Sequence, residues 1–312
     1  MGCTTTIKDD SYDFFDNINE YIKHLDEVAL DREELNSEDD CNSFSTMHTK
    51  SNTTKGKNIC EYFIKLCKLL PRVKNNKKYD PNYGKDWNFL SYWLNVKLEE
   101  SKLNAIICPY DFYDGIEDHC MNTLSLYISS PILIYNINEE DLSRMKVLYI
   151  LHENYNKLHS ILNNETASEP HLLLPPSSKC SMNYKSANNM CNSKYKKFCE
   201  KLKKFKTEYD KLFKIAESKG DDFAKNFIKL TDKENSNIIS STVIGSAVGL
   251  IPLFGILYKF TPIGQIFNSH KSKLSKGHSN SIDEIRRTSF LNYENEQLNL
   301  NQEKYNIEYH PA

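Results

Sequence analysis

Glycine and proline are scarce in this chain, at ten each in 312 residues, and a charge excess of either sign is missing, the formal net charge being -2. Few chain breakers exclude a turn-rich β-fold. A balanced charge removes the strongly basic face that nucleic acid would require. Catalytic signatures are missing too. There is no Gly-rich phosphate loop, no H-E-x-x-H and no G-x-S-x-G. No Cys-x2-Cys pair offers zinc ligands at the usual spacing. His119 and Cys120 are adjacent, but neighbours on a helix point in different directions, so they do not read as a base and its nucleophile. No catalytic residue, cofactor or metal is therefore expected, and no internal repeat is seen.

Aromatic residues are abundant, with 19 Tyr and 15 Phe. With so few breakers they predict long helices packed on an aromatic core. Residues 9–30 repeat apolar positions at three and four (Phe14, Ile18, Tyr21, Ile22, Leu25, Val28). The polar stretch 36–58 reads as a loop, and 59–70 as a helix stopped by Pro71. Residues 87–100 form a helix capped by Asp86, with Leu90, Trp93, Leu94 and Leu98 inward. Another helix is expected over 111–129. Asn138 caps the next, with Glu139, Glu140 and Asp141 suiting the dipole of its first turn. Pro170, Pro175 and Pro176 mark 163–190 as a linker. The last helix of the domain is 191–219, apolar on one face and basic on the other at Lys196, Lys197, Lys201, Lys203 and Lys204. That basic face suits solvent, or an anionic lipid or glycan. Sequons at Asn52 and Asn164 fit surface loops.

One long uncharged run stands out. No residue from 235 to 258 is charged, which is long enough to cross about 30 Å of hydrocarbon. A buried core helix would seldom carry Gly245, Gly249, Gly255 and Pro252 together. The run reads as one transmembrane helix over 238–260, with Gly245 and Gly249 as a small-xxx-small pair able to seat another helix. Lys and Arg flank both ends, with a slight excess favouring a cytosolic C-terminus.

Cys41, Cys60, Cys67, Cys108, Cys120, Cys180, Cys191 and Cys199 all precede this run, and none follows it. An even set on one side of a membrane segment predicts disulfides in an oxidised ectodomain, the alternative being buried free thiols. Cys3 is set apart, in Met1-Gly2-Cys3-Thr4-Thr5-Thr6, which matches an acylation pattern at Gly2 with Cys3 placed for palmitate. Residues 1–30 hold no apolar signal core. The expected organisation is mainly α: a helical, cysteine-containing domain over 1–234, an anchor over 235–260, and a short, mostly disordered cytosolic tail over 261–312.

The run Ser241-Thr-Val-Ile-Gly-Ser-Ala-Val-Gly-Leu-Ile-Pro-Leu-Phe-Gly-Ile-Leu-Tyr-Lys-Phe-Thr-Pro-Ile-Gly264 resembles the membrane segment and following Thr-Pro-Ile/Leu-Gly turn of the malaria-parasite PIR superfamily, whose branches include VIR, CYIR and KIR. Cys60-Glu-Tyr-Phe63, Trp87-Asn-Phe-Leu-Ser-Tyr-Trp-Leu94 and the Tyr-containing tail over 290–310 extend the resemblance. It implies a non-catalytic variant antigen at the infected host-cell membrane or on exported membranes, acting in immune evasion and host interaction. Its expected partners are the lipid bilayer and a host protein or glycan, with no nucleic acid. The competing reading is an intracellular membrane scaffold held by acyl chains at Gly2 and Cys3.

The anchor yields a direct expectation. An Arg at the centre of a membrane helix costs roughly 2.5–3.5 kcal/mol on the insertion scale. Val248→Arg or Gly249→Arg should therefore move the protein from the carbonate-resistant pellet to the supernatant, whereas Lys276→Arg should not. Retention of both central variants in the pellet would show that this helix is not the anchor.

Overall fold

The computed structural model describes residues 3–5, 10–31, 38–70, 73, 80–124, 134–164 and 169–231. By compactness the chain divides after Ser241, so all of these belong to the first unit. The expected membrane span at 238–260, the tail and the Gly245–Gly249 pair lie outside the described residues. Among the described residues no helix is long and apolar enough to cross a membrane, and no strand occurs.

A 3-10 turn, Asp13–Asn17, leads into α1 (Ile18–Leu30). It is followed by α2 (Glu38–His48), α3 (Thr53–Leu69) and α4 (Tyr83–Ser101). Next come α5 (Pro109–His119), the single turn α6 (Met121–Leu124) and α7 (Glu139–Asn163). The described part closes with α8 (Leu174–Met190), α9 (Lys196–Lys219) and α10 (Asp221–Lys225).

Helix α4 occupies the centre. Thirteen of its 19 residues are buried, on every face, so it is an interior helix and not the amphipathic one its Leu and Trp spacing predicts. Its apolar sides meet aromatic rings: Phe89 stacks on Tyr21 of α1 at 4.3 Å, Tyr92 on Phe14 at 5.3 Å, and Trp87 meets Tyr113 of α5 edge-on at 6.1 Å. Such pairs add about 0.5–1.5 kcal/mol each beyond area burial. Asp86 is not the helix cap, because the helix begins a turn earlier, at Tyr83. Asp86 is wholly buried and accepts a 2.7 Å hydrogen bond from the Tyr21 hydroxyl.

The remaining face of α4 is polar: Asn88, Ser91 and Asn95, spaced three and four apart. An extended segment, Ile134 to Ile137, lies along it. Asn95 Nδ2 donates to the Tyr135 carbonyl at 2.9 Å, and its Oδ1 accepts from the Ile137 amide at 3.0 Å. The Tyr135 amide donates to Ser91 Oγ, and the Tyr135 hydroxyl to Asn88 Oδ1. Side-chain amides thus supply the bonds that a neighbouring strand would supply in a sheet.

Two stretches that read as irregular are helical. The 36–58 region contains α2 and the start of α3. Its Ser, Thr and Asn content is weak helix-forming material, yet Cys41, Phe44 and Thr49 are buried, and packing overrides propensity. The approach is close on both sides of α2. A Cβ added at Gly56 of α3 would stand 2.5 Å from Thr49, and one at Gly115 of α5 would stand 2.8 Å from Phe44. The prolines of the 163–190 region start helices instead of breaking them. Pro170 opens a 3-10 turn, Pro170–Leu173, and Pro175 lies in the first turn of α8, where a missing N–H costs nothing. Ser177, Cys180, Tyr184 and Ala187 then recur at three and four and bury against the domain.

Other boundaries shift less. Pro109 begins α5 two residues before the expected start, and the helix stops at His119. Asn138 caps α7 as read, accepting from the Asp141 amide at 2.9 Å. Helix α9 buries Phe198, Leu202, Phe205, Tyr209, Leu212 and Phe213, the apolar face that its spacing predicts. Facing it on α7, His152 is pushed down to about 3 by desolvation and then by the charge of Lys204, so it stays neutral beside Phe205 at 5.1 Å.

Asn95→Leu should destabilise the domain strongly, because it leaves the buried Tyr135 carbonyl and Ile137 amide unpaired. The expected loss is about 2–4 kcal/mol. Urea unfolding followed by circular dichroism measures it. Asn226→Ala, which removes an exposed intrahelical bond, should stay within about 0.5 kcal/mol of the parent.

Candidate functional site: the cysteine framework

All nine cysteines lie within the described residues, and six are paired: Cys3 with Cys108, Cys41 with Cys60, and Cys191 with Cys199. Cys67, Cys120 and Cys180, counted among the disulfide candidates, are free and buried. The even set of eight therefore does not describe the framework. Cys3, which the sequence sets apart, completes the pair that Cys108 needs. This leaves no Cys3 thiol for palmitate, while Gly2 lies outside the described residues.

The Cys3–Cys108 bridge closes a loop of 105 residues, with Cα atoms 5.7 Å apart. A loop of that length contributes about 4.7 kcal/mol in the chain-entropy account. The bridge is reinforced by Asn136, whose Nδ2 donates to the Thr4 carbonyl at 2.9 Å while its Oδ1 accepts from the Tyr110 amide at 2.9 Å. A few residues further on, Asn88 of α4 donates to the Asp10 carbonyl. The N-terminal strand of chain is thus tied to the domain by one covalent bond and two buried amides. No sequence spacing announces such a long-range pairing.

Cys41 of α2 and Cys60 of α3 face one another where the two helices pack, with Cα atoms 5.8 Å apart. Cys191–Cys199 links the turn before α9 to its first turn. The free thiols are held protonated. Burial and then the charge of Asp40 push Cys120 up to about 12. Burial raises Cys67 and Cys180 as well. A protonated, enclosed thiol is a poor nucleophile. Cys180 accordingly behaves as a core residue, its thiol 3.7 Å from the Leu151 carbonyl.

The basic face of α9 divides into two parts. Lys201 pairs with Asp13 at 3.4 Å and with Asp16 at 3.0 Å, and Lys204 pairs with Asp16 at 2.8 Å. Burial raises the Asp16 carboxyl, but the bonds from Lys204 and Lys201 outweigh it and hold the group down at about 2. Those lysines dock α9 onto the N-terminal turn. Arg144 of α7 does similar work beside them, lying 3.5 Å over the Tyr195 ring, while the Tyr195 hydroxyl donates to Glu140 at 2.6 Å. Lys196, Lys197 and Lys203 stay exposed on the outer face. A cleft at this junction is lined by Phe15, His152, Phe205, Asp16, Lys201, Lys204 and Glu208; Asp16 is engaged with both lysines, and Glu208 with Lys211.

Denaturing the protein without reduction in the presence of an alkylating agent should label three cysteines, Cys67, Cys120 and Cys180, and reduction should raise the count to nine. Peptide mass spectrometry reads the result. Labelling of Cys3 before reduction would break the Cys3–Cys108 assignment.

Residues 213–312 match the family model described as Plasmodium vivax Vir protein. The matched stretch contains the uncharged run and the Thr-Pro-Ile-Gly turn, whereas the Cys60 and Trp87 blocks lie upstream of it. No curated protein and no solved structure matches the chain. This match over the C-terminal hundred residues supports membership of the PIR/Vir superfamily.

Proposed function

We propose that this chain is a variant antigen of a malaria parasite, displayed at or exported to the infected host-cell membrane, where its helical domain engages or distracts host molecules without catalysis. The match of residues 213–312 to the Vir family carries the reading. The uncharged run at 235–258 supplies an anchor within that match. A domain with three disulfides suits an oxidising exterior, since such bonds are rare in the cytosol. Exposed Lys196, Lys197 and Lys203 offer a positive outer face to an acidic host protein or glycan. The acylated intracellular scaffold loses support, because one of its two lipid attachment sites, Cys3, is bonded to Cys108.

Topology is the sharpest test. A membrane-impermeant amine reagent applied to intact infected cells should modify Lys196, Lys197 and Lys203 and spare Lys271, Lys273 and Lys276 of the tail. Peptide mass spectrometry distinguishes the sets. Label confined to the tail reverses the orientation, and a chain with no label at all is not displayed.

A further inference from the structure

Three sulfurs meet where α2, α3 and the end of α5 converge. Cys41 and Cys60 are bonded, and Cys120 Sγ stands 3.9 Å from Cys60 Sγ. The three Sγ atoms all lie within 4.8 Å of one another, and all three residues are buried. A disulfide uses two sulfurs and needs no third beside it. Thiolates around a tetrahedral ion with bonds of about 2.3 Å stand roughly 3.8 Å apart, which is the spacing already present between Cys60 and Cys120. We propose that Cys41, Cys60 and Cys120 form a three-thiolate site for a zinc-class ion when the Cys41–Cys60 bond is reduced, so that this corner is closed by a disulfide in one redox state and by a metal in the other.

The chemistry balances as follows. Two equivalents of a monothiol reductant supply two electrons and two protons. They convert the Cys41–Cys60 bond into two thiols and leave as one disulfide. The divalent ion then binds three thiolates, displacing up to three protons, and water takes the fourth position. Opening the bond to the tetrahedral edge parts the two sulfurs by about 1.7 Å. Asp40, beside Cys41 on α2, already acts on Cys120 with its negative charge. That charge disfavours a bare thiolate and favours one paired with a cation. Because protons leave as the ion binds, affinity falls as pH is lowered.

Packing is the competing account, since a buried free cysteine behaves as a small hydrophobe. Cys180 fits that account, with the Leu151 carbonyl as its neighbour. Cys120 differs in having two other sulfurs within ligand range, and no other group of three such ligands is gathered among the described residues.

The experiment uses the full chain in detergent, reduced with a metal-indifferent phosphine and titrated with Co2+ and then Zn2+. The expected result is one ion per chain, a sulfur-to-cobalt charge-transfer band in the near ultraviolet, and displacement of Co2+ by Zn2+. The oxidised chain should bind none. Cys120→Ser should weaken binding by at least about 100-fold, the upper end of what losing a supporting outer-shell group costs. Cys180→Ser, an equally buried thiol elsewhere, should match the parent. Helical circular dichroism accompanies each titration. Should Cys120→Ser lose its helix, Cys41→Ser, which leaves Cys120 in the core, must show the same weakening. The proposal is overturned if the folded, reduced chain gives no charge-transfer band, if the serine variants bind as tightly as the parent, or if the reduced chain unfolds and Zn2+ does not restore it. The readout is metal occupancy, so it stands or falls separately from display at a cell surface.

Discussion

Helix α4 has no face to give to water, and the rest of the domain is arranged around that constraint. An interior helix that carried only apolar side chains would specify its neighbours loosely. This one carries Asp86, Asn88, Ser91 and Asn95 into the core, and each must find a particular partner or cost one to several kcal/mol. Tyr21 of α1 answers Asp86. The segment Ile134 to Ile137 answers the other three. Position and register of both α1 and the extended segment are therefore set by polar chemistry, while the surrounding rings supply bulk burial.

The same logic extends outward. Asn136 sits in the segment that α4 fixes, and it bonds the Thr4 carbonyl and the Tyr110 amide at once. That holds the two chain stretches carrying Cys3 and Cys108 side by side. The longest-range bridge of the framework thus follows from the hydrogen-bonding needs of the central helix. The basic helix α9 is drawn to the N-terminal turn by Lys201 and Lys204 acting on Asp16, so the sign pattern on α9 serves docking on one edge and leaves Lys196, Lys197 and Lys203 exposed on the other.

Division of labour between the two parts of the chain also emerges. The likeness to the Vir family lies in residues 213–312, which include the uncharged run. The helical, disulfide-bridged domain lies mostly ahead of that match.

Much was legible in the sequence by itself. The scarcity of Gly and Pro and the wealth of aromatics determined a helical class. Three-four spacing determined the buried face of α9, and Asn138 with three acids determined the start of α7, because these signals act within one or two turns of chain. Only the tertiary structure decided the rest. It made helices of 38–48 and 174–190, where burial of Cys41, Phe44, Cys180 and Tyr184 outweighs polar composition and where prolines sit in a first turn. It turned Asp86 from a cap into a core partner of Tyr21. It joined Cys3 to Cys108 and left Cys120 beside a finished disulfide. Cysteine pairing depends on where helices meet in space, and a sequence of nine cysteines carries no record of distance.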